Sequence, residues 1–497
     1  MPVKNKKLLS LVLVLVLILG ATPYFIGKKA QENIEAQAVK MSQVPGYAIT
    51  LKDYDRGWFT SRATLTYGFD DHTLTILKGS DPEGDADDEE MDAATFEVLK
   101  QGLVFDITIA HGPVTFQNGI NFAFLTLSGN LRDINHENYI AFKEESGITS
   151  LIDLFASVSY GGTTHITMDS PSFKATFPTK TGEELTLDFS GLTIDGTINA
   201  NLDKYEASAQ LDKFSLTSDT GGLIFNTMIS HATGTKINDH IWAGKGMSSL
   251  SDFNFSAPED VSLSLNNFTS EYEFDKESET ALTFQGIFKL ASLTVEDIDL
   301  KDFQLGFALN NLNLEALTDY VKSVTDLYQA PGEDKSSPEQ TAAKIQVIAT
   351  RTGENLIKGS PEFIINSFNF IMNDGFFESD GKLAINGDDL TNLLQLSDPV
   401  ALNKRLTASA NITFDKALAK AITTIAIKKQ MAAGGVDIAS MPAEQLDQMI
   451  EIQTSTALQA FIAQGYFIQD EEKYISHFDM RDGQRLINGK PLAIPGL

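Results

Sequence analysis

Val261-Ser262-Leu263-Ser264-Leu265 alternates apolar and polar side chains with a period of two, and that period decides the fold. Successive residues of a strand point to opposite faces, so such a run buries one face and wets the other. The pattern recurs at Ala63-Thr64-Leu65-Thr66-Tyr67 and Leu185-Thr186-Leu187-Asp188-Phe189, and it prevails from Pro45-Gly46 to the neighbourhood of Leu312. Asn118-Gly119, Asp195-Gly196 and Gly221-Gly222 sit between alternating runs, where hairpins need residues that tolerate positive φ. The reading is a long, local meander of antiparallel strands. It has no strict period and so is no repeat array.

Outward from the meander the period changes. Leu314, Leu317, Val321, Val324 and Leu327 fall on one helical face. Ala330-Pro331-Gly332-Glu333-Asp334-Lys335-Ser336-Ser337-Pro338 then combines breakers with charge, the composition of an exposed connection, and Ser337 is placed to cap a following helix. Beyond it, strands are expected over 363–372 and 382–385, with turns at Asp380-Gly381 and Asn386-Gly387. Helices follow over 415–431 and 441–464, the second capped by Ser440 and stopped by Gly465. A final hairpin pairs 474–480 with 484–487 around Asp482-Gly483.

Toward the amino end, Ile34, Ala38 and Met41 give residues 30–44 a helical stripe. Before it, Leu8 to Ile26 is nineteen residues without a charge, flanked by Lys4, Lys6 and Lys7 and by Lys28 and Lys29. That length spans a bilayer core, and no small-x-small cleavage site ends it, because Leu19 precedes Ala21 and Lys28 precedes Ala30. The expected fold class is α+β, predominantly antiparallel β as a long curved meander, with an N-terminal transmembrane helix and a few C-terminal helices. Its parts are a membrane anchor over 1–28, a strand-rich extracytoplasmic domain over 29–329, a linker over 330–340 and an α+β domain over 341–497.

Composition removes several functions. The chain has no cysteine, which excludes disulfides, thiolate metal sites and cysteine nucleophiles, and which fits an oxidising envelope. With 67 acidic and 38 basic residues the formal charge is -29, which opposes nucleic acid. The seven histidines are scattered, and His136-Glu137 lacks a second histidine four residues on. No G-x-S-x-G elbow is present. Gly244-Lys245-Gly246 has Ser249 where a dinucleotide loop needs glycine, and Gly489-Lys490 runs into Pro491, not a hydroxyl residue. The acidic run Asp81 to Asp92 departs from a calcium loop at Ala86 and at Asp92, and reads as a solvated loop. No catalytic, metal or cofactor residue is therefore assigned. The 32 phenylalanines, among them Phe116, Phe122 and Phe124 and later Phe363, Phe368 and Phe370, read as a thick β core or as an open apolar groove.

At Tyr54-Asp55-Arg56-Gly57-Trp58-Phe59-Thr60-Ser61 the chain resembles the YdgA/YihF-type family of bacterial envelope proteins, whose function is unknown. Asp398-Pro399 leading to Leu402 and Leu406, and the closing Asn488-Gly489-Lys490-Pro491-Leu492, support the likeness. The resemblance implies an inner-membrane anchor, a periplasmic body and self-association, and carries over no catalytic residue. Arg56, Gly57, Trp58, Phe59, Ser61, Asn488, Gly489 and Pro491 are its candidate structural residues. Gly57-Trp58-Phe59 reads as a bulge followed by two large buried anchors on opposite strand faces. Leu309-Asn310-Asn311-Leu312-Asn313-Leu314 is similar to strands of AsmA-like envelope proteins, which resemble lipid-handling grooves. The expectation is a non-enzymatic protein, tethered to the inner membrane through residues 8–26, whose β surface binds a partner protein, a second copy or lipid. An envelope hydrolase using an unrecognised carboxylate pair is the alternative.

Overall fold

The structure, a computed structural model, describes residues 22–39, 46–70, 73–74, 93–178, 182–258, 261–295, 298–328, 338–391, 393–396, 398–433 and 441–492. Most of the expected anchor, the acidic run, Ser440 and most of the 330–340 linker lie outside them. Among the described residues no helix is long and apolar enough to cross a membrane. The chain folds as α+β with antiparallel strands, in two compact units. The first comprises Met1–Phe214, His231–His240 and Tyr320–Ala349, and the second comprises Ser215–Ser230, Ile241–Asp319 and Thr350–Leu497. This division differs from the 330–340 boundary. The later strands of the meander are hydrogen-bonded to those beyond the linker and so belong with them.

In the first unit, helix α1 (residues 22–39) precedes β1 (Tyr47–Arg56) and β2 (Thr60–Phe69). Then come α2 (Ala93–Gln101), β3 (Leu103–His111), β4 (Leu125–Leu131), α3 (Glu137–Ser146), β5 (Asp153–Val158) and β6 (Thr164–Ser170). β7 (Phe173–Pro178) and β8 (Glu184–Phe189) form a hairpin, and β9 (Leu192–Ile198) returns to pair with β6 on one side and β10 (Lys204–Thr217) on the other. The ladder β1-β2-β3-β4-β5-β6-β9 is antiparallel throughout. Its inward face carries Ala63, Phe105, Ile107, Ile109, Leu125 and Leu131, all buried with Ala30 of α1. Thus α1 buries a stripe of Gly27, Ala30, Ile34 and Ala38 on one side of the strands. The turn expected at Asp195-Gly196 is instead mid-strand. Gly196 faces Ile166 and Ala207, and Asp195 accepts a hydrogen bond from Thr167 Oγ1 (2.9 Å), while the reversal falls at Asn199 to Asp203. Asn118 (φ 51°) and Gly119 (φ 100°) do form the expected turn.

The second unit is built on longer strands. After β11 (Gly222–Lys236) come β12 (Trp242–Ser256), β13 (Ser262–Lys276), β14 (Ala281–Val295) and β15 (Ile298–Asn313). α4 (Leu314–Tyr328) and α5 (Pro338–Lys358) precede β16 (Glu362–Met372) and β17 (Gly375–Ile385). α6 (Pro399–Arg405) is capped by Asp398, whose carboxylate accepts the Val400 N–H (3.0 Å). β18 (Leu406–Asp415), α7 (Lys416–Ala433), α8 (Ala443–Ala463), β19 (Ile468–Asp470), β20 (Lys473–Arg481), β21 (Gln484–Ile487) and β22 (Lys490–Pro491) complete it. The antiparallel order is β12-β13-β14-β15-β16-β17-β18-β20-β21. Breaks in register beside Asp302 (φ 50°) and Asn311 (φ 58°) mark bulges, which bend and twist a strand. The Asp380-Gly381 turn is likewise corrected. Both residues lie inside β17, where Asp380 accepts from Asn411 Nδ2 on β18 (2.9 Å), and the reversal is at Asn373-Asp374, both at positive φ. Pro442, not Ser440, holds the α8 N-cap position, and Gly465 (φ 80°) ends that helix as expected.

Candidate functional site

The expected motif residues fall in different units, with Arg56 to Ser61 in the first and Asn488 to Pro491 in the second. The first group makes a tight hairpin tip between β1 and β2. Gly57 donates its N–H to the Thr60 carbonyl (2.9 Å), and a Cβ at Gly57 would stand 2.5 Å from that oxygen, so only glycine closes the turn. No bulge occurs at Gly57, and Trp58 (52% exposed) and Phe59 (57% exposed) are not buried anchors. A two-residue crest leaves no sheet face for them to enter. Trp58 leans on Tyr24 of α1 with centroids 5.0 Å apart, and the Arg56 guanidinium lies over the same Tyr24 ring at 5.4 Å.

Ser61 is the buried member of the motif, at 1% exposure. Its Oγ donates to Nε2 of His111 (2.9 Å), and His111 Nδ1 donates to the Trp58 carbonyl (3.3 Å). The backbone N–H of His111 also donates to the Phe59 carbonyl (2.8 Å). Burial pushes the His111 pKa down, with nearby Arg56 acting in the same direction against the Trp58 hydrogen bond. The neutral imidazole therefore spans the hairpin tip, with its Nδ1 tautomer set by the Trp58 carbonyl. Gly27 of α1 closes the site, since a Cβ there would come 2.4 Å from the imidazole. Beside the pair, the Tyr54 hydroxyl is buried without a well-aligned partner, and burial raises its pKa against the influence of Ser61.

A serine hydroxyl on a histidine has the chemistry of a nucleophile and its base. Here His111 (2% exposed) and Ser61 are both sealed beneath α1, and a backbone carbonyl stands where a carboxylate would orient the ring. The geometry is that of a polar clasp joining α1, the β1-β2 tip and the end of β3. Sequence reading passed over His111 because fifty residues separate it from Ser61. Ser61 faces Ile109, two residues before His111 and on the same face of β3, so a strand register could have signalled the pair.

Residues 5–495 match the family described as "Bacterial protein of unknown function (DUF945)". The chain belongs to this family. No curated protein and no solved structure matches it. In this DUF945 chain the second motif group is also a fastener. Asn488 (φ 49°) and Gly489 (φ 76°) make the turn before Pro491 in β22. The Asn488 side chain donates to the carbonyls of Gly465 (2.9 Å) and Tyr466 (3.1 Å) at the end of α8, and accepts the His477 N–H (2.8 Å) from β20.

The carboxyls with displaced pKa are held down rather than up. Arg132 lowers Asp106 on β3, and Lys416 lowers Glu451 on α8. A polar hollow of about 330 Å³ over the β16-β17 ladder is lined by Asn369, Glu378, Asp380 and Lys382, but Lys382 is tied to Glu362 (2.7 Å) and Asp380 to Asn411. Among the described residues no three histidine or carboxylate side chains gather as metal donors.

The feature with the largest extent in the second unit is a sheet with unlike faces. Residues paired across antiparallel strands share a face. Tyr272, Gly286, Phe307 and Ile365 form one cross-strand row, and Phe274, Phe284, Leu309, Phe363 and Leu383 form the next. Phe274–Phe284, Phe284–Phe307 and Phe307–Phe363 give a path of rings at 6.4, 5.8 and 6.4 Å across four strands. Gly286 lies under the Phe307 ring and Gly246 under Tyr272, where a Cβ would meet the rings at 2.7 and 2.2 Å, so these rings lie flat on the sheet. The opposite face is charged, with Lys245–Glu273 (2.8 Å), Lys289–Glu271 (3.8 Å) and Lys382–Glu362 (2.7 Å). Leu418 of helix α7 packs on the backbone at Gly375, and Leu282 and Leu290 on the aromatic face are buried. Phe363 and Leu383 remain 38% and 46% exposed.

Proposed function

We propose that this chain is a membrane-tethered envelope protein, anchored by residues 8–26 with its body in the periplasm, that binds lipid acyl chains on the aromatic face of the second unit without catalysing a reaction. The supporting observation is the asymmetry of the sheet. Strands of fifteen residues present an aromatic strip on which Tyr272, Phe363 and Leu383 are exposed and Phe274, Phe284 and Phe307 partly exposed, whereas monomeric proteins rarely leave a large apolar patch open. At about 3.4 Å per residue such a strand runs roughly 50 Å, long enough to lie along an extended acyl chain. Flat-lying rings over glycine suit flexible hydrocarbon, which offers no hydrogen bonds, and the ion-paired reverse face keeps that side in water. The uncharged run from Leu8 to Ile26 and the likeness of the Arg56 to Ser61 stretch to envelope proteins support the location.

The test is native mass spectrometry of the full chain in mild detergent, comparing the native sequence with a Phe307→Asn, Phe288→Asn variant. Phospholipid retained by the native chain and lost by the variant is expected. Equal retention by both would assign the lipid to the anchor alone and remove the groove. Dimers that dissociate in the variant would instead mark the face as a contact with a second copy.

A further inference from the structure

One end of the first unit gathers exposed aromatic residues from four separate places in the chain. β1 ends, and β2 begins, at the Trp58-Phe59 tip; β3 ends and β4 begins around residues 112–124; β5 ends and β6 begins at Tyr160. Antiparallel pairing puts all three connections at the same end. They are joined there, because His111 N–H donates to the Phe59 carbonyl and the Tyr160 hydroxyl donates to the Pro113 carbonyl. α1 starts at this end too, with Gly27 on His111 and Tyr24 on Trp58, and runs away from it along the strands. The exposed side chains are Phe25, Trp58, Phe59, Phe116, Phe122 and Tyr160, and Phe116 and Phe122 are among the most exposed, at 75% and 77%.

From Ile107 to Leu131 the sequence has no Asp, Glu, Lys or Arg, in a chain whose charged residues amount to 21%. Around the uncharged tips stand exposed Lys28, Lys29, Arg56 and Arg62, with Asp55 facing Arg62 and Glu32 beside Lys29 (3.7 Å). The connection after β9 brings Asp203 to the same end, with Lys236 and its partner Asp239 beside it. In a chain of net charge -29 the aromatic tips of α1 and β1 to β6 are thus flanked by bases and acids in nearly equal number. The nineteen-residue uncharged segment Leu8 to Ile26 enters α1 at that same end.

We infer that this end is a membrane-interface seat, in which Trp58, Phe59, Phe116, Phe122 and Tyr160 enter the headgroup region of the bilayer that holds the anchor. Aromatic side chains favour that depth because the ring leaves water while indole N–H and phenol O–H remain solvated, and Lys28, Lys29 and Arg56 beside the tips meet lipid phosphates. The R-G-W-F-x-S stretch then has two jobs in six residues. Ser61 and Gly57 lock the tip to His111, and Trp58 and Phe59 present it to lipid. The inference rests on the anchor reading in Proposed function but concerns a separate surface from the aromatic sheet.

The absence of cysteine allows a clean test. The full chain is reconstituted in vesicles of phosphatidylethanolamine and phosphatidylglycerol containing brominated phosphatidylcholine. Trp58 is read in a Trp242→Phe background, and an environment-sensitive dye is read at Phe122→Cys and, as a control, at Glu145→Cys in α3, in the connection from β4 to β5 at the opposite end of the strands. Flotation of the vesicles reports the anchor independently. The expected result is flotation of every variant, with Trp58 emission quenched and the Phe122→Cys dye quenched at least two-fold more than the Glu145→Cys dye. Flotation without selective quenching would overturn the seat and leave the anchor standing. Failure to float would overturn both.

Discussion

The two units use the same antiparallel pairing but solve burial in opposite ways. In the first, α1 lies against β1 to β4, and Ile109 and Ala30 are completely buried. In the second, β13 to β16 carry more aromatic residues, yet Phe363 is 38% exposed and most of its neighbours are only partly covered. One apolar face has a helix laid over it, and the other is buried at Leu282 and Leu290 but open at Tyr272, Phe363 and Leu383. Aromatic content alone therefore does not make a core; a second layer does.

The sharpest way to break this contrast is to remove one side chain from each face. Ile109→Ala should cost the first unit about 2–5 kcal/mol, since a fully buried branched residue loses both transfer energy and packing. Phe288→Ala in the second should cost less, about 1–3 kcal/mol, because that ring is only partly buried and leaves a smaller cavity. Hydrogen exchange of the β2-β3 and β13-β14 amides, read in the two variants, measures each unit separately. Equal losses would mean that the aromatic face is covered in solution.

Next in size is Gly27→Val, which drives a branched side chain into the His111 imidazole. Overpacking of this kind typically costs about 1–3 kcal/mol, and here it should lift α1 and deprotect the amides of Phe105 to Ile109. The clasp also makes the first unit acid-sensitive. His111 is held below its ordinary value of 6.5, so at lower pH the unfolded chain binds a proton that the folded one resists. Its contribution is complete above that pH and is lost as the pH falls beneath it, with a slope of at most about 1.4 kcal/mol per pH unit. In His111→Gln the part of the acid slope due to this group should vanish, as read by denaturant midpoints between pH 7 and pH 5.

The smallest effect expected is that of Trp58→Ala. With half its surface already in water, the loss should stay below about 1 kcal/mol and unfolding should remain as cooperative as in the native chain. A loss of several kcal/mol would show that Trp58 is buried in solution, and would return the hairpin tip to a structural role.

Much of this architecture was legible in the residues. Period-two alternation located β2, β8 and β13, and the spacing of Leu314 to Leu327 located α4. Asp482-Gly483 and Gly465 ended their elements as their φ tolerance required. The misread positions share a cause. Asp195-Gly196 and Asp380-Gly381 have turn composition but are paired on both sides, so ladder hydrogen bonds override local preference. Trp58 was misjudged because a large aromatic residue in a strand-rich chain suggests a core, and only the register shows that it crowns a hairpin. His111 was hidden by distance in sequence. The unlike faces of β13 to β17 were written in alternation, but which face lacked a second layer is a property of helix placement.

The neighbour relations of β18 have a consequence in time. On one side it pairs with β17, already made; on the other its partner is β20, which begins at Lys473 after both α7 and α8. A chain produced from its amino end must therefore hold a sheet with one open edge for more than fifty residues, until its last hairpin emerges. An unpaired edge is a template for foreign strands, and the Asn488 side chain, bridging β20 to the end of α8, is in place only when synthesis is nearly complete. A chain truncated before Lys473 would therefore retain its aromatic strip and an exposed strand edge together, a combination that favours pairing with other chains over folding.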